Sequence, residues 1–126
     1  MSLKASILAL ASTALAPVAV TGKEMPDGLF VRKLSINERE NYGEKIKKAI
    51  DNHTVNATAF VLATCDETGK PIFGEVKDNT HVVTDADISE AGGLPSKFVL
   101  DVLEFFNKVN GFDKEIKKAV DDAEKN

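Results

Sequence analysis

Tryptophan is absent from this chain, cysteine and tyrosine occur once each, and histidine occurs twice. The lone cysteine, Cys65, excludes an internal disulfide framework and fits a reducing compartment. Arg32 and Arg39 are the only arginines. The planar forks that read base edges or clamp phosphates are therefore scarce. The formal charge is −4, whereas charge-driven nucleic-acid binding needs a basic face; no nucleic-acid partner is expected. Two lone histidines, His53 and His81, have no partner at the spacing of a known metal site. Gly92-Gly93 lacks the lysine-serine or G-x-G-x-x-G frame of a phosphate loop. No metal, cofactor or catalytic residue is expected, and no enzyme.

What is present is enough for a globular core. The chain has 126 residues, 43% of them hydrophobic and 29% charged, a length and balance that fit one domain over 1–126 rather than a disordered chain. The most apolar stretch with helical spacing is 95–109, PSKFVLDVLEFFNKV. Phe98, Val102, Phe105 and Val109 form one row, and Val99, Leu103 and Phe106 an adjacent one, so the apolar face is wide. Leu100 lies on the far side. Pro95 suits the first turn and Asn110-Gly111 a left-handed stop. This helix needs cover on two sides, from its own chain or from another molecule.

Residues 2–16, SLKASILALASTALA, read either as a secretory leader or as a retained amphipathic helix. The leader reading rests on Lys4, the apolar run and Ala14-Leu15-Ala16. The helix reading places Leu3, Ile7, Leu8, Ala11, Ala14 and Leu15 on one face, ended by Pro17, and is the one adopted here for 1–16. The stretch is too short to span a bilayer, and no membrane partner is expected.

A hairpin is expected over 17–34, with 17–21 pairing with 29–34 around Met25-Pro26-Asp27-Gly28. Ser35-Ile36-Asn37-Glu38 is a capping box that opens a helix to about Asn52. Its expected inward stripe is Tyr42, Ile46, Ala49, Ile50 and His53. Gly43 within it points to a close neighbour. The run 55–65, VNATAFVLATC, is helix or strand, since periodicity does not separate the two in a short apolar run. Residues 66–70 form a turn and 74–80 a polar loop. Residues 81–83 form a short strand, and Thr84 caps a brief helix ending at Gly92-Gly93. Asp113 caps a last helix with Ile116, Ala119 and Val120 inward, and 121–126 form a solvated acidic tail. The fold class is α+β, predominantly α: a helical core over 35–120 with a small N-terminal β-hairpin.

The order of segments carries a resemblance. A small-residue N-terminal helix precedes a V-x-V segment and Val31-Arg32-Lys33-Leu34-Ser35, which leads into a charged helix. Next comes an apolar run into Cys65-Asp66-Glu67-Thr68-Gly69-Lys70-Pro71-Ile72-Phe73. Gly93-Leu94-Pro95-Ser96 then opens a helix ending Asn107-Lys108-Val109-Asn110-Gly111, and the tail finishes Glu124-Lys125-Asn126. From Pro17 onward the chain resembles the tail assembly chaperones of long-tailed bacteriophages, departing at 74–84, which is longer than expected.

The resemblance implies a non-catalytic protein encoded by a phage or prophage. Such a protein coats the tape measure protein, associates with copies of itself and helps recruit tail tube protein. It acts in the host bacterial cytoplasm and leaves before the virion is finished. Many such chaperones also exist in a longer, frameshifted form. The apolar residues offered for partner binding or self-association are Leu3, Ile7, Leu8, Phe98, Val102, Phe105 and Phe112. The alternatives are another virion component, such as a head–tail connector or minor tail protein, and a small exported protein with a cleaved leader.

Overall fold

Helix α4 (Val55–Ala63) is the element on which the other helices converge: α3 (Ile36–Asp51), α5 (Asp85–Ala91) and α6 (Ser96–Asn110) all pack against it. The computed structural model describes residues 2–78 and 80–112. Every residue of α4 from Thr58 to Ala63 is buried. A helix covered on all sides has no polar face, which is why 55–65 carries no helical period. The helix ends where Thr64 turns extended, with its hydroxyl donating to the Phe60 carbonyl at 2.8 Å. The ambiguous run is thus a helix followed by a short strand.

Two short elements, α1 (Leu3–Leu8) and α2 (Leu10–Ala14), precede β1 (Val18–Ala19) and β2 (Phe30–Val31). The expected hairpin forms: Val18 pairs with Val31 and Ala19 with Phe30, antiparallel. A third strand, β3 (Thr64–Cys65), pairs with the other edge of β2, so β2 is central and its Val31 is fully buried. A second antiparallel ladder joins β4 (Glu75–Lys77) to β5 (Thr80–Val82). Residues 75–77 are therefore strand, not loop. Strands of two and three residues are too short to show an alternating pattern in sequence. The fold is α+β and predominantly helical.

The expected capping box at Ser35 is in place, and Thr84 caps α5 as expected, through a second box. Ser35 Oγ accepts from the Glu38 amide at 3.2 Å while Glu38 accepts from the Ser35 amide at 3.1 Å. Thr84 and Asp87 do the same for α5. Helix α6 ends at Gly111 with φ +75°, the left-handed stop read from Asn110-Gly111. The proposed last helix with Ile116, Ala119 and Val120, and the 121–126 tail, lie outside the described residues.

The α6 face is covered on both rows, but unevenly, and Val102 is buried although the rest of its row is not. Val99, Val102, Leu103 and Phe106 are buried, Phe98, Phe105 and Val109 are half-buried, and Leu100 is exposed. Phe106 meets Tyr42 at 5.5 Å and Phe112 at 5.8 Å between ring centroids, and Tyr42 stacks on Phe112 at 5.7 Å. Arg39 caps this cluster, 4.3 Å above the Phe112 ring. A clasp at Asn110 ties α6 to the sheet. Its side-chain oxygen accepts from the Leu34 amide at 2.8 Å, and its amide nitrogen donates to the carbonyls of Arg32 and Phe106 at 2.8 and 3.0 Å.

Burial pushes the Tyr42 phenol up to about 12 from an ordinary 10. The unfolded chain gives up that proton two units before the folded one, so Tyr42 leaves stability unchanged below pH 10. Between pH 10 and 12 it costs on the order of 2 kcal/mol. Denaturant unfolding followed from pH 9 to 12 should show this loss, and the Tyr42→Phe protein should lack it.

The α3 stripe is narrower than expected. Tyr42, Ile46 and Ala49 face inward, whereas Ile50 and His53 are exposed, His53 in a left-handed conformation at φ +56°. Gly43 has no close neighbour: a Cβ there meets nothing within 4 Å. The inferred packing contact does not exist, and the glycine only weakens the helix. Gly43→Ala is expected to stabilise the protein by about 0.5–1 kcal/mol, read as a higher denaturant midpoint with an unchanged slope.

Candidate functional site

Among the described residues, four of the ten exposed large apolar side chains fall close together at the N-terminus. Leu3, Ile7, Leu8 and Leu10 are 76, 56, 64 and 58% exposed, and no residue of α1 is buried. Leu3, Ile7 and Leu10 stand at i, i+4 and i+7, one row of a helix, with Leu8 beside it. Leu10 was not among the residues offered from sequence; the i+7 spacing from Leu3 was the signal for it. Ser2 starts the helix by accepting from the Ala5 amide at 3.1 Å. The two elements cover 3–14, a length at which an isolated helix is marginal in water.

The α6 residues offered for the same surface are placed differently. Val102 is fully buried and is withdrawn from it, because it stands in the row that faces α4. Phe98 packs on Phe60 at 5.7 Å and Phe112 on Tyr42 and Phe106, so these rings serve the core first. Phe105 is half-buried. The fold therefore does not bring the seven residues together: Leu3, Ile7 and Leu8 form one surface, and the aromatic members sit at the border of the core.

A second apolar surface was not anticipated. A cleft of about 1240 Å³ runs between the α3–α4 junction and the α5–α6 pair, lined by Ile50, Val55, Ile88, Leu94 and Leu100 among others. Ile50 and Leu100 remain more than half or half exposed there. Helical spacing places Ile50 on the inward stripe, yet it is exposed while its neighbour Ala49 is buried.

Cys65 is fully buried on β3. Burial pushes its thiol up from the ordinary value, and the Asp66 charge adds to that against the pull of Arg32, so the reactive thiolate is disfavoured. His81 is half-buried, and its Nε2 donates to the Phe73 carbonyl at 2.7 Å. Burial pushes its imidazole down, and the positive charges of Arg32 and Lys45 push the same way. Asp66 organises the 66–70 turn, accepting from the Thr68 hydroxyl at 2.7 Å and from the Thr68 and Lys70 amides. Those bonds, the hydroxyl first, hold its carboxyl below the usual range. Among the described residues no group of three or more His, Cys, Asp or Glu side chains is placed to hold a metal ion. Nor is any helix among them long and apolar enough to cross a membrane.

Compared with protein-family models, with curated proteins and with solved structures, the chain matches none.

Proposed function

We propose that this chain is a tail assembly chaperone of a long-tailed phage, a binding protein that shields the tape measure protein and helps recruit tail tube subunits in the host cytoplasm. The observation that carries the reading is the uncovered row Leu3, Ile7, Leu8 and Leu10. A chaperone for a long helical client needs apolar surface to offer and charge to stay dissolved while offering it. The order of segments from Pro17 to the C-terminus supports the same reading through its resemblance to that family.

Magnitudes define what the surface must do. Burying four large apolar side chains returns roughly 6–12 kcal/mol at about 1.5–3 each. Association itself costs an estimated 4–15 kcal/mol. The row alone leaves little surplus, so a firm complex needs more apolar area, and the cleft lined by Ile50 and Leu100 supplies it. Repetition along the client, with copies of the chain touching one another, adds avidity.

The test is co-expression with the tape measure protein encoded in the same genome. The expected result is that the tape measure protein moves from the insoluble to the soluble fraction and co-purifies with this chain. An insoluble client at equal expression counts against the reading.

A second reading is favoured by one observation. Because no residue of α1 is buried, an export leader ending at Ala16 could be removed without disturbing the sheet that starts at β1. Intact mass of the protein recovered from its host decides: loss of 1–16 establishes export, and a retained N-terminus excludes it.

A further inference from the structure

Between β2, α3 and β5 lies a small cleft of about 230 Å³, lined by Arg32, Glu38, Asn41, Tyr42, Lys45 and His81 among others. Arg32 enters it immediately after the central strand. Its backbone is fully engaged, the amide with the Ala63 carbonyl at 2.9 Å and the carbonyl with Asn110. Its guanidinium is not. Nε and Nη2 are both buried from solvent and neither has a hydrogen-bond partner among the described residues. These are not any two of its nitrogens. They form the side of the guanidinium from which two N–H bonds point in parallel, the edge that takes both oxygens of a carboxylate.

The surroundings are those of an anion site. Lys45 reaches the same cleft, its ammonium donating to the His81 carbonyl at 3.4 Å. The imidazole of His81 is anchored through Nε2 to the Phe73 carbonyl. The acid that lines the cleft, Glu38, is committed to the Ser35 amide by the capping box. The volume is below the range of pockets that hold drug-sized molecules or cofactors, but it admits one carboxylate group.

We propose that this cleft is a carboxylate-binding site, in which Nε and Nη2 of Arg32 grip the two oxygens and Lys45 supplies a second positive charge. The carboxylate comes either from a small free acid or from an Asp or Glu side chain of another polypeptide. The inference stands on the cleft alone and does not depend on the chaperone reading.

The test is nitrogen-15 NMR of the arginine Nε–H groups in the intact protein. With two arginines in the chain there are two signals, and Arg39→Lys identifies the one from Arg32. Sodium acetate represents the free acid, and N-acetyl-glutamic acid N-methylamide, whose only carboxylate is the side-chain one, represents a residue of a polypeptide. A saturable shift of the Arg32 signal with either probe, absent from the Arg39 signal and from sodium chloride at equal ionic strength, is the expected result. The tighter probe then names the source. Lys45→Gln should weaken binding by roughly threefold to tenfold, and Glu38→Gln, which keeps the cap and removes a competing charge, should strengthen it. The proposal is overturned if neither probe gives a saturable shift, or if sodium phosphate binds as tightly as both. It is equally overturned if a shift appears only once Glu38 is replaced, since Glu38 is then the occupant.

Discussion

Replacing Phe106 by alanine is expected to cost about 3–5 kcal/mol of stability, a large share of the roughly 5–15 kcal/mol that holds an ordinary domain folded. The side chain is fully buried and meets the rings of Tyr42 and Phe112. The truncation removes a phenyl ring from the junction of α3 and α6, where Tyr42 and Phe112, the latter under Arg39, line the space it leaves. Denaturant unfolding monitored by circular dichroism reads the effect. A loss below about 1 kcal/mol would mean that the junction collapses freely and that α3 is not held through this cluster. Leu100→Ala on the exposed side of the same helix is the matched control and should change stability by no more than about 0.5 kcal/mol.

Converting Leu3, Ile7 and Leu8 together to serine should have the opposite profile. No residue of α1 is buried, so the unfolding midpoint of the rest of the chain is expected to stay within error of the parent. Capture of the client should fall by well over tenfold. Giving up about 1.5–3 kcal/mol per side chain removes most or all of the surplus over the cost of association. Both quantities come from one protein preparation, by thermal unfolding and by co-purification with the tape measure protein. A variant that binds normally moves the client surface elsewhere, with the cleft at Ile50 and Leu100 next in line.

What could be read from the residues depended on how each element meets solvent. Helices α3 and α5 announce themselves because their caps are side-chain chemistry written at fixed spacing, Ser35 with Glu38 and Thr84 with Asp87. Helix α6 shows its two rows because one side stays wet. Helix α4 shows nothing, since a segment buried all round has no period to display. It is nonetheless the element the others pack on. Sheet pairing was readable only where turn residues marked it, between β1 and β2; β3 and β4 are too short to leave a pattern.

The candidate surfaces follow the same logic. An uncovered row on the N-terminal helix is visible as spacing, so Leu3, Ile7 and Leu8 could be named in advance. The division of α6 into a buried Val102 and half-buried Phe98 and Phe105 depends on where α4 lies, which no local pattern encodes. Arg32 is the extreme case. In sequence it is one basic residue beside another, Lys33, at the end of a strand. Only the fold shows that two of its donors are buried without partners among the described residues.

On the proposed function, the N-terminal row works by being covered by another polypeptide. Hydrogen exchange of residues 3–14, measured in the purified chain alone and then with the tape measure protein, addresses it most directly. Fast exchange alone and strong protection in the complex are expected. A stable complex in which these amides exchange as quickly as before, or no complex at all, would contradict it.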